Sequence, residues 1–360
     1  MNRSPALIDN PVRMAEVFTL ARSASRNGPT ADAATRITRL NKLERLLRDH
    51  LGEWETAIAA DFGHRSPHET RLEAYSSLEG LAYSRRHLKR WMRPQRRPVA
   101  LTYLPGRAEV RIQPLGVVGI IVPWNYPIFL SFGPIIDALA AGNRVLVKMS
   151  EYSEQAAALF ANIAARHFDP AELSIIGGDV SVAEAFSRLP FDHLFFTGSG
   201  AVGRRVMHAA AEHLTPVTLE LGGKSPLLIA PDYPVEHAAQ RIVAGKCLNA
   251  GQTCVAPDYV LTPKGSEGAL IAALRERIAR IYPDLLHNPD YSSIVNVRQY
   301  DRLVAYIEDA RAQGAEIIEL CPGQSPDRES RRLPPLAILN AHQEMRLMQE
   351  EIFGPLLPIL

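Results

Sequence analysis

The sequence predicts an α/β protein in which a doubly wound parallel sheet is followed by a second α/β domain. Three observations predict it. Apolar runs at 117–122, 144–148, 173–176, 193–197 and 216–221 alternate with helical stretches near 128–141, 153–166, 180–188 and 201–213. Five strands and four helices in strict alternation make a parallel sheet covered on both faces. After residue 226, helical patterns near 234–249 and 266–282 alternate with shorter strand candidates at 259–261 and 315–320. With 360 residues, the chain also exceeds one typical core.

Taken in order, residues 1–10 lack the apolar stretch of a signal peptide. Residues 30–92 read as helical, with Leu40, Leu43, Leu46 and Leu47 at helical spacing. A basic, proline-rich hinge at 93–98 breaks the helix and leads into an alternating segment, 99–112, that fits an excursion of two strands. Seven arginines and one lysine lie between Arg85 and Arg107. No nucleic-acid recognition motif accompanies them, so they read as a solvated or subunit-facing edge. Residues 322–335 read as a polar surface loop, and the chain stops at Pro358-Ile359-Leu360 within a strand pattern, an ending expected of an incomplete domain.

Composition narrows the function classes. At 46% hydrophobic, 22% charged and net +1, the chain is an ordinary globular protein whose surface is not tuned to nucleic acid or anionic membrane. Small molecules are the expected partners. The longest apolar stretch, 115–124, is too short to span a bilayer. Cys247, Cys254 and Cys321 form an odd, sparse set without CxxC spacing, which fits a reducing compartment and argues against a thiolate metal site. His64 and His68 are separated by Pro67, which spoils a helical two-histidine face; both read as loop residues, and no metal is expected. The chain reads as cytosolic.

Two residues carry the chemistry. Cys254 ends Gly251-Gln252-Thr253-Cys254, and Glu220 stands 34 residues before it. A thiol attacks carbonyl carbon, and a carboxylate activates a water to release the acyl group, so the pair implies a thioester route. Alone, Cys254 fits a small core residue better than a nucleophile. The polar, flexible approach through Gly251, Gln252 and Thr253 suits a turn that lifts a side chain into a cleft. Ligands of doubly wound sheets bind beyond the carboxyl ends of the strands. Here those ends read Pro123-Trp124-Asn125, Lys148-Met149-Ser150-Glu151, Thr197-Gly198-Ser199-Gly200 and Glu220-Leu221-Gly222-Gly223.

One motif invites another assignment. Gly198-Ser199-Gly200-Ala201-Val202-Gly203 fits GxGxxG, and Glu220 lies 17 positions after Gly203, where a ribose ligand would stand. The preceding strand, however, is the fourth of the sheet and not the first. Lys148 and Glu151, a donor and an acceptor closing the second strand, are the better ribose candidates. Glycines for close packing and a solvated Lys and Glu remain alternative readings.

Together with Glu350-Glu351-Ile352-Phe353-Gly354-Pro355, these segments resemble the aldehyde dehydrogenase superfamily, in family order from 123 to 355. Cys254-Val255-Ala256-Pro257-Asp258-Tyr259 resembles the class 3 branch. Asp61-Phe62-Gly63-His64-Arg65-Ser66 and Trp91-Met92-Arg93-Pro94-Gln95-Arg96-Arg97-Pro98 are similar to bacterial coniferyl aldehyde dehydrogenases. Met149 replaces the proline common in its motif.

The resemblance implies Cys254 as nucleophile, Asn125 and the Cys254 backbone N–H as oxyanion donors, and Glu220 as activator of the hydrolytic water, although such a glutamate is mobile and varies in role within the superfamily. It implies NAD as cofactor and admits NADP, with Lys148 and Glu151 on the adenine ribose, Glu351 on the nicotinamide ribose, Phe353 near the nicotinamide, and Gly198 and Ser199 by the pyrophosphate. Trp124, Ser150, Gly203, Leu221 and Gly222 complete the implied cofactor-binding set. The implied domains are an NAD-binding domain with an N-terminal helical layer (1–95 and 113–222), bridging oligomerisation strands (96–112) and an incomplete catalytic domain (223–360). The expected activity is NAD(P)-dependent oxidation of an aromatic or hydrophobic aldehyde such as coniferyl aldehyde to the acid. Relatives continue past the Glu350 motif and associate as homodimers, so a non-catalytic remnant serving as a nucleotide-binding or interaction module stands as the alternative. Reductive acyl transfer is a third, which Glu220 disfavours.

Overall fold

The computed structural model describes residues 6–360. Four helices come first: α1 (Pro11–Asn27), α2 (Ala33–Arg48), α3 (Leu51–Phe62) and α4 (Pro67–Trp91). Short strands β1 (Gln95–Arg97) and β2 (Ala108–Val110) precede the alternating core: β3 (Val117–Ile121), α5 (Phe129–Ala140), β4 (Arg144–Lys148), α6 (Glu154–His167), β5 (Leu173–Ile176), α7 (Val180–Ser187), β6 (His193–Gly198), α8 (Gly200–Ala211) and β7 (Val217–Leu221). The remainder holds β8 (Pro226–Leu228), α9 (Val235–Cys247), β9 (Tyr259–Leu261), α10 (Glu267–Ile281), α11 (Val297–Ala312), β10 (Glu316–Glu319), β11 (Leu336–Leu339), α12 (Arg346–Gln349) and β12 (Leu356–Pro358). Among the described residues, no helix is long and apolar enough to cross a membrane.

The chain divides into two compact units: one takes the chain up to Trp54 with Leu72–Glu220, the other Glu55–Arg71 with Leu221–Leu360. In the first, five strands are ordered β5-β4-β3-β6-β7, with β3 parallel to both β4 and β6 and β4 parallel to β5. The chain therefore starts at the middle strand, winds outward through β4 and β5, and then returns to the other side of β3. That reversal is the topological switch point, where parallel sheets form a crevice at their carboxyl ends. β3 and β5 bury both faces, which explains their continuous apolar text: every residue of β5 is buried, and all of β3 but its last.

Side chains mark where the helices start. Asp32 accepts from the Thr35 N–H at the head of α2, Asp179 from Ser181 and Val182 at α7, and Ser199 from Val202 at α8. A buried aromatic cluster holds α3 to the helices α5 and α6: Trp54 lies 6.1 Å from Phe132 and 5.4 Å from Phe160, ring centre to ring centre. All three are fully buried. Trp54→Ala is expected to cost about 3–5 kcal/mol, read as a lowered denaturant midpoint with an unchanged slope.

The second unit has its own core, from Ile229 and the α9 face (Ile242, Val243) through Leu303 to Ile359. Its sheets are β10-β11-β12 and the parallel pair β8-β9. Ile359 bridges to Val260, so the last residues extend pairing from β12 to β9.

Three local expectations change. The first strand of the excursion lies inside the basic hinge, where Gln95–Arg97 pairs antiparallel with Ala108–Val110; Pro98 and Pro105 offer no N–H to a ladder, and 101–103 forms a short 3-10 turn. His68 belongs to the first turn of α4, since Pro67 occupies the opening helical position that needs no donor. The loop at 322–335 is exposed along much of its length but anchored at its end, where Arg332 and Leu333 are buried and Arg332 donates to the carbonyls of Leu286 and Asn288.

Candidate active site

Asn125 is buried in the loop that leaves β3 and enters α5. The residue before α5, Ile128, offers no capping side chain. Glu73 of α4 takes that role, accepting from the N–H groups of Ile128 and Phe129, both at 3.0 Å. A carboxylate on the positive end of the helix fixes the loop that carries Trp124 and Asn125. Phe129, two residues beyond Pro127, is exposed.

At the end of β4, Lys148 is buried and donates to the carbonyls of Met149 at 2.8 Å and Gly178 at 2.9 Å. An ammonium has three donors, so one remains. Burial lowers the Lys148 pKa to about 8, opposed by the nearby carboxylates of Glu151 and Asp179. The Ser150 hydroxyl reaches Glu151 Oε2 at 3.4 Å. The three polar residues at this strand end therefore form one cluster of donors and acceptors.

Next to β3, strand β6 ends in Gly198 and Ser199 at the head of α8. A Cβ on Gly198 would lie 2.6 Å from the Phe196 ring, so glycine is required there for packing. Gly200 differs: a Cβ there would meet nothing within 4 Å, so packing does not require glycine. Gly203 is buried on the sheet side of α8. Glu220 is exposed on β7, the edge strand beyond β6.

In the second unit, Cys254 is exposed whereas Cys247 and Cys321 are buried. The core reading of a lone cysteine thus fits the other two. Burial pushes the Cys247 thiol well above its ordinary range and the Cys321 thiol up to about 11.

The approach to Cys254 is not flexible. Asn249 and Ala250 (both φ 50°) and Gly251 (φ 74°) form a left-handed run, an arrangement that costs on the order of 1–3 kcal/mol for each non-glycine residue. At Gly251 a side chain would meet backbone, with its Cβ 2.5 Å from the Gly354 carbonyl oxygen. The run persists because Gln252, fully buried, ties it down: its amide donates to the carbonyls of Asn249 (2.9 Å) and Ser293 (3.0 Å) and accepts from the Val295 N–H (3.0 Å).

Two further segments converge on this turn. The Ser225 hydroxyl donates to the Cys254 carbonyl at 3.4 Å, and the Ser225 carbonyl accepts from the Asp258 N–H at 2.8 Å. Lys224 pairs with Asp258 and donates to the carbonyls of Leu347 and Glu350, while Asp258 accepts from the Ile352 N–H at 2.9 Å. Glu351, half-buried, accepts from the Gly223 N–H; burial raises its pKa above the usual carboxylate range. A Cβ at Gly222 would overlap the Glu351 carboxylate as it stands and push that side chain aside. Phe353 follows with φ 48°. The segments holding Gly222, Cys254, Glu351 and Phe353 are thus laced together. The roles of Lys224, Asp258, Glu69 and Glu73 are not legible in the sequence; the pairing of Lys224 with a carboxylate 34 residues on leaves no local pattern.

A sequence profile described as the aldehyde dehydrogenase family matches residues 10–360. The chain is 48% identical over 345 residues to a probable coniferyl aldehyde dehydrogenase of Pseudomonas aeruginosa, covering 96% of this chain and 72% of that one. It is 45% identical to the coniferyl aldehyde dehydrogenase of a Pseudomonas species, with 92% and 69% covered. Among solved structures, Staphylococcus aureus AldH in a substrate-bound state superposes with a TM-score of 0.89 at 34% identity, covering 96% of this chain and 75% of the other.

Proposed function

Since the chain belongs to the aldehyde dehydrogenase family, we propose that it oxidises an aromatic or otherwise hydrophobic aldehyde to its carboxylic acid through a thioester on Cys254. The observation that carries this reading is the strapped left-handed turn that leaves Cys254 exposed while the other two cysteines are buried. Similarity to two coniferyl aldehyde dehydrogenases supports an aromatic aldehyde such as coniferyl aldehyde.

In this reading the Cys254 thiolate adds to the carbonyl carbon, and the Asn125 amide and the Cys254 backbone N–H donate to the oxyanion that forms. Glu220 then takes a proton from the water that hydrolyses the thioester, releasing the acid and restoring the thiol. An exposed, reactive thiol survives in a reducing compartment, which is where we assign the protein's work.

The residues at the strand ends fit a nicotinamide dinucleotide. Lys148 keeps one donor and Glu151 offers acceptors for ribose hydroxyls, and the head of α8 is assigned to a phosphate. Trp124, Ser150, Gly198, Ser199 and Gly203 join them in the first unit, with Leu221, Gly222, Glu351 and Phe353 from the second. When bound, the cofactor accepts the hydride that leaves the aldehyde carbon. The Glu151 carboxylate repels a 2′-phosphate, so NAD is assigned as the main cofactor and NADP as the weaker one. We assign nucleotide binding to the doubly wound sheet, catalysis to residues 223–360, and homodimer association to the exposed strands β1 and β2.

Production of NADH from NAD with coniferyl aldehyde or benzaldehyde, followed by absorbance, tests the reading. Turnover is expected with both; a chain that binds NAD but oxidises neither would overturn it. A second outcome concerns Lys148. Lys148→Met removes a charge-assisted hydrogen bond, so NAD affinity is expected to fall about tenfold to a hundredfold by calorimetry. In the unaltered chain the affinity should weaken as pH rises through about 8, where Lys148 loses its proton. That dependence should vanish in Lys148→Met.

A further inference from the structure

We infer that Glu69 is a positioning residue for Cys254: its carboxylate fixes the left-handed turn at residues 249–251 that presents the nucleophile. The inference rests on the reading of Cys254 as the nucleophile. Glu69 lies in the first turn of α4 and is 4% exposed. Its Oε1 accepts from the Asn249 N–H at 2.7 Å, and its Oε2 accepts from the Ser292 hydroxyl at 2.7 Å. Arg65, whose guanidinium lies over the Phe62 ring at 4.9 Å, approaches Oε2 to 3.4 Å.

Gln252 grips the turn by its carbonyl, and Glu69 grips it by its N–H. Both then reach the same neighbouring segment, Glu69 through Ser292 and Gln252 through Ser293 and Val295. Asn249 is itself buried, so without an acceptor its N–H would stand unmatched away from water. The cheapest escape is for Asn249 and Ala250 to leave their positive φ angles, which swings the chain on which Cys254 stands five residues later. A residue remote from the reacting atoms thereby sets where the sulfur points. The carboxylate is suited to this because one oxygen serves the turn while the other answers the Arg65 cation and the Ser292 hydroxyl.

The test compares two variants in an Arg65→Met background, so that neither leaves a buried guanidinium without its carboxylate. Glu69→Gln keeps an acceptor for the Asn249 N–H; Glu69→Ala does not. For each, kcat and KM with NAD and benzaldehyde are measured beside amide hydrogen exchange at residues 248–254 and thermal midpoint. In the alanine variant kcat is expected to fall about a hundredfold with the aldehyde KM unchanged, and the turn to exchange faster. The glutamine variant should stay near its Arg65→Met parent in both readouts. Equal losses of kcat in the two variants would reduce Glu69 to a stabilising residue, and unaltered exchange in the alanine variant would remove the clamp. A parent that makes no NADH counts against the nucleophile reading, and exchange alone then decides the clamp, so the two failures are distinct. Should the alanine variant not fold, a hundredfold loss in the glutamine variant would still overturn the inference.

Discussion

Replacing Cys254 by alanine is expected to lower the rate of aldehyde oxidation by at least about 10⁴-fold while leaving NAD affinity unchanged. The size of the effect follows from the absence of a substitute. Cys247 is fully buried with its thiol held protonated, and Cys321, pushed up to about 11, is ionised in roughly one molecule in 10⁴ at pH 7. The small effect on everything else follows from how the turn is held. The contacts that fix it run through Gln252, Asn249 and the Cys254 carbonyl, none of which the substitution removes. Stability should therefore change by no more than about 0.5 kcal/mol, as at an exposed position. Iodoacetamide provides the direct check: the peptide containing Cys254 should be labelled in the folded protein, and those containing Cys247 and Cys321 should not. Normal turnover in the alanine variant would end the thioester reading.

The central strands of the first unit were legible because they are buried on both faces and so are written as apolar runs; β3, β4 and β5 fall within one residue of their expected bounds. The order of the sheet was not legible, since strand text carries no neighbour, and it is the order that sets the carboxyl ends of β3 and β6 side by side. Strand β8 was missed because it is three residues long, starts at a proline and is exposed at both ends. Helix α11 went unread although Asn296 caps it and Tyr300, Leu303, Tyr306, Ile307 and Ala310 repeat at helical spacing, a signal sufficient to find it.

The candidate site divides in the same way. Asn125, Lys148, Glu151, Glu220 and Cys254 stand at strand ends or in a turn and could be named from local text. What holds them could not: Glu69 meets Asn249 across 180 positions, and Gln252 meets Ser293 across 41. Gln252 even invited the wrong physical description, because glutamine in a Gly-Gln-Thr segment reads as solvated and mobile when it is the most deeply tethered residue of the turn.

Glu220→Gln separates the two roles that the sequence allows for this carboxylate. The substitution keeps the shape and removes the base. If Glu220 activates the hydrolytic water, the first turnover should produce NADH in a burst close to one equivalent per active site. Steady-state production should then fall about 10²- to 10⁴-fold, because the acyl-enzyme forms normally and is released slowly. NAD affinity should not move. If Glu220 is instead the ribose ligand of the GxGxxG reading, affinity should weaken by the loss of a charge-assisted hydrogen bond, about tenfold to a hundredfold, and no burst should appear. The sheet order weighs on the first side: the motif follows β6, whose neighbour toward the switch point is β3, whereas Glu220 stands on the edge strand β7 on the other side of β6. The donors and acceptors suited to a ribose are gathered instead at the end of β4, in Lys148, Ser150 and Glu151. Burst kinetics and calorimetry on the same preparation decide the matter, and a burst with unchanged affinity leaves the carboxylate to the water.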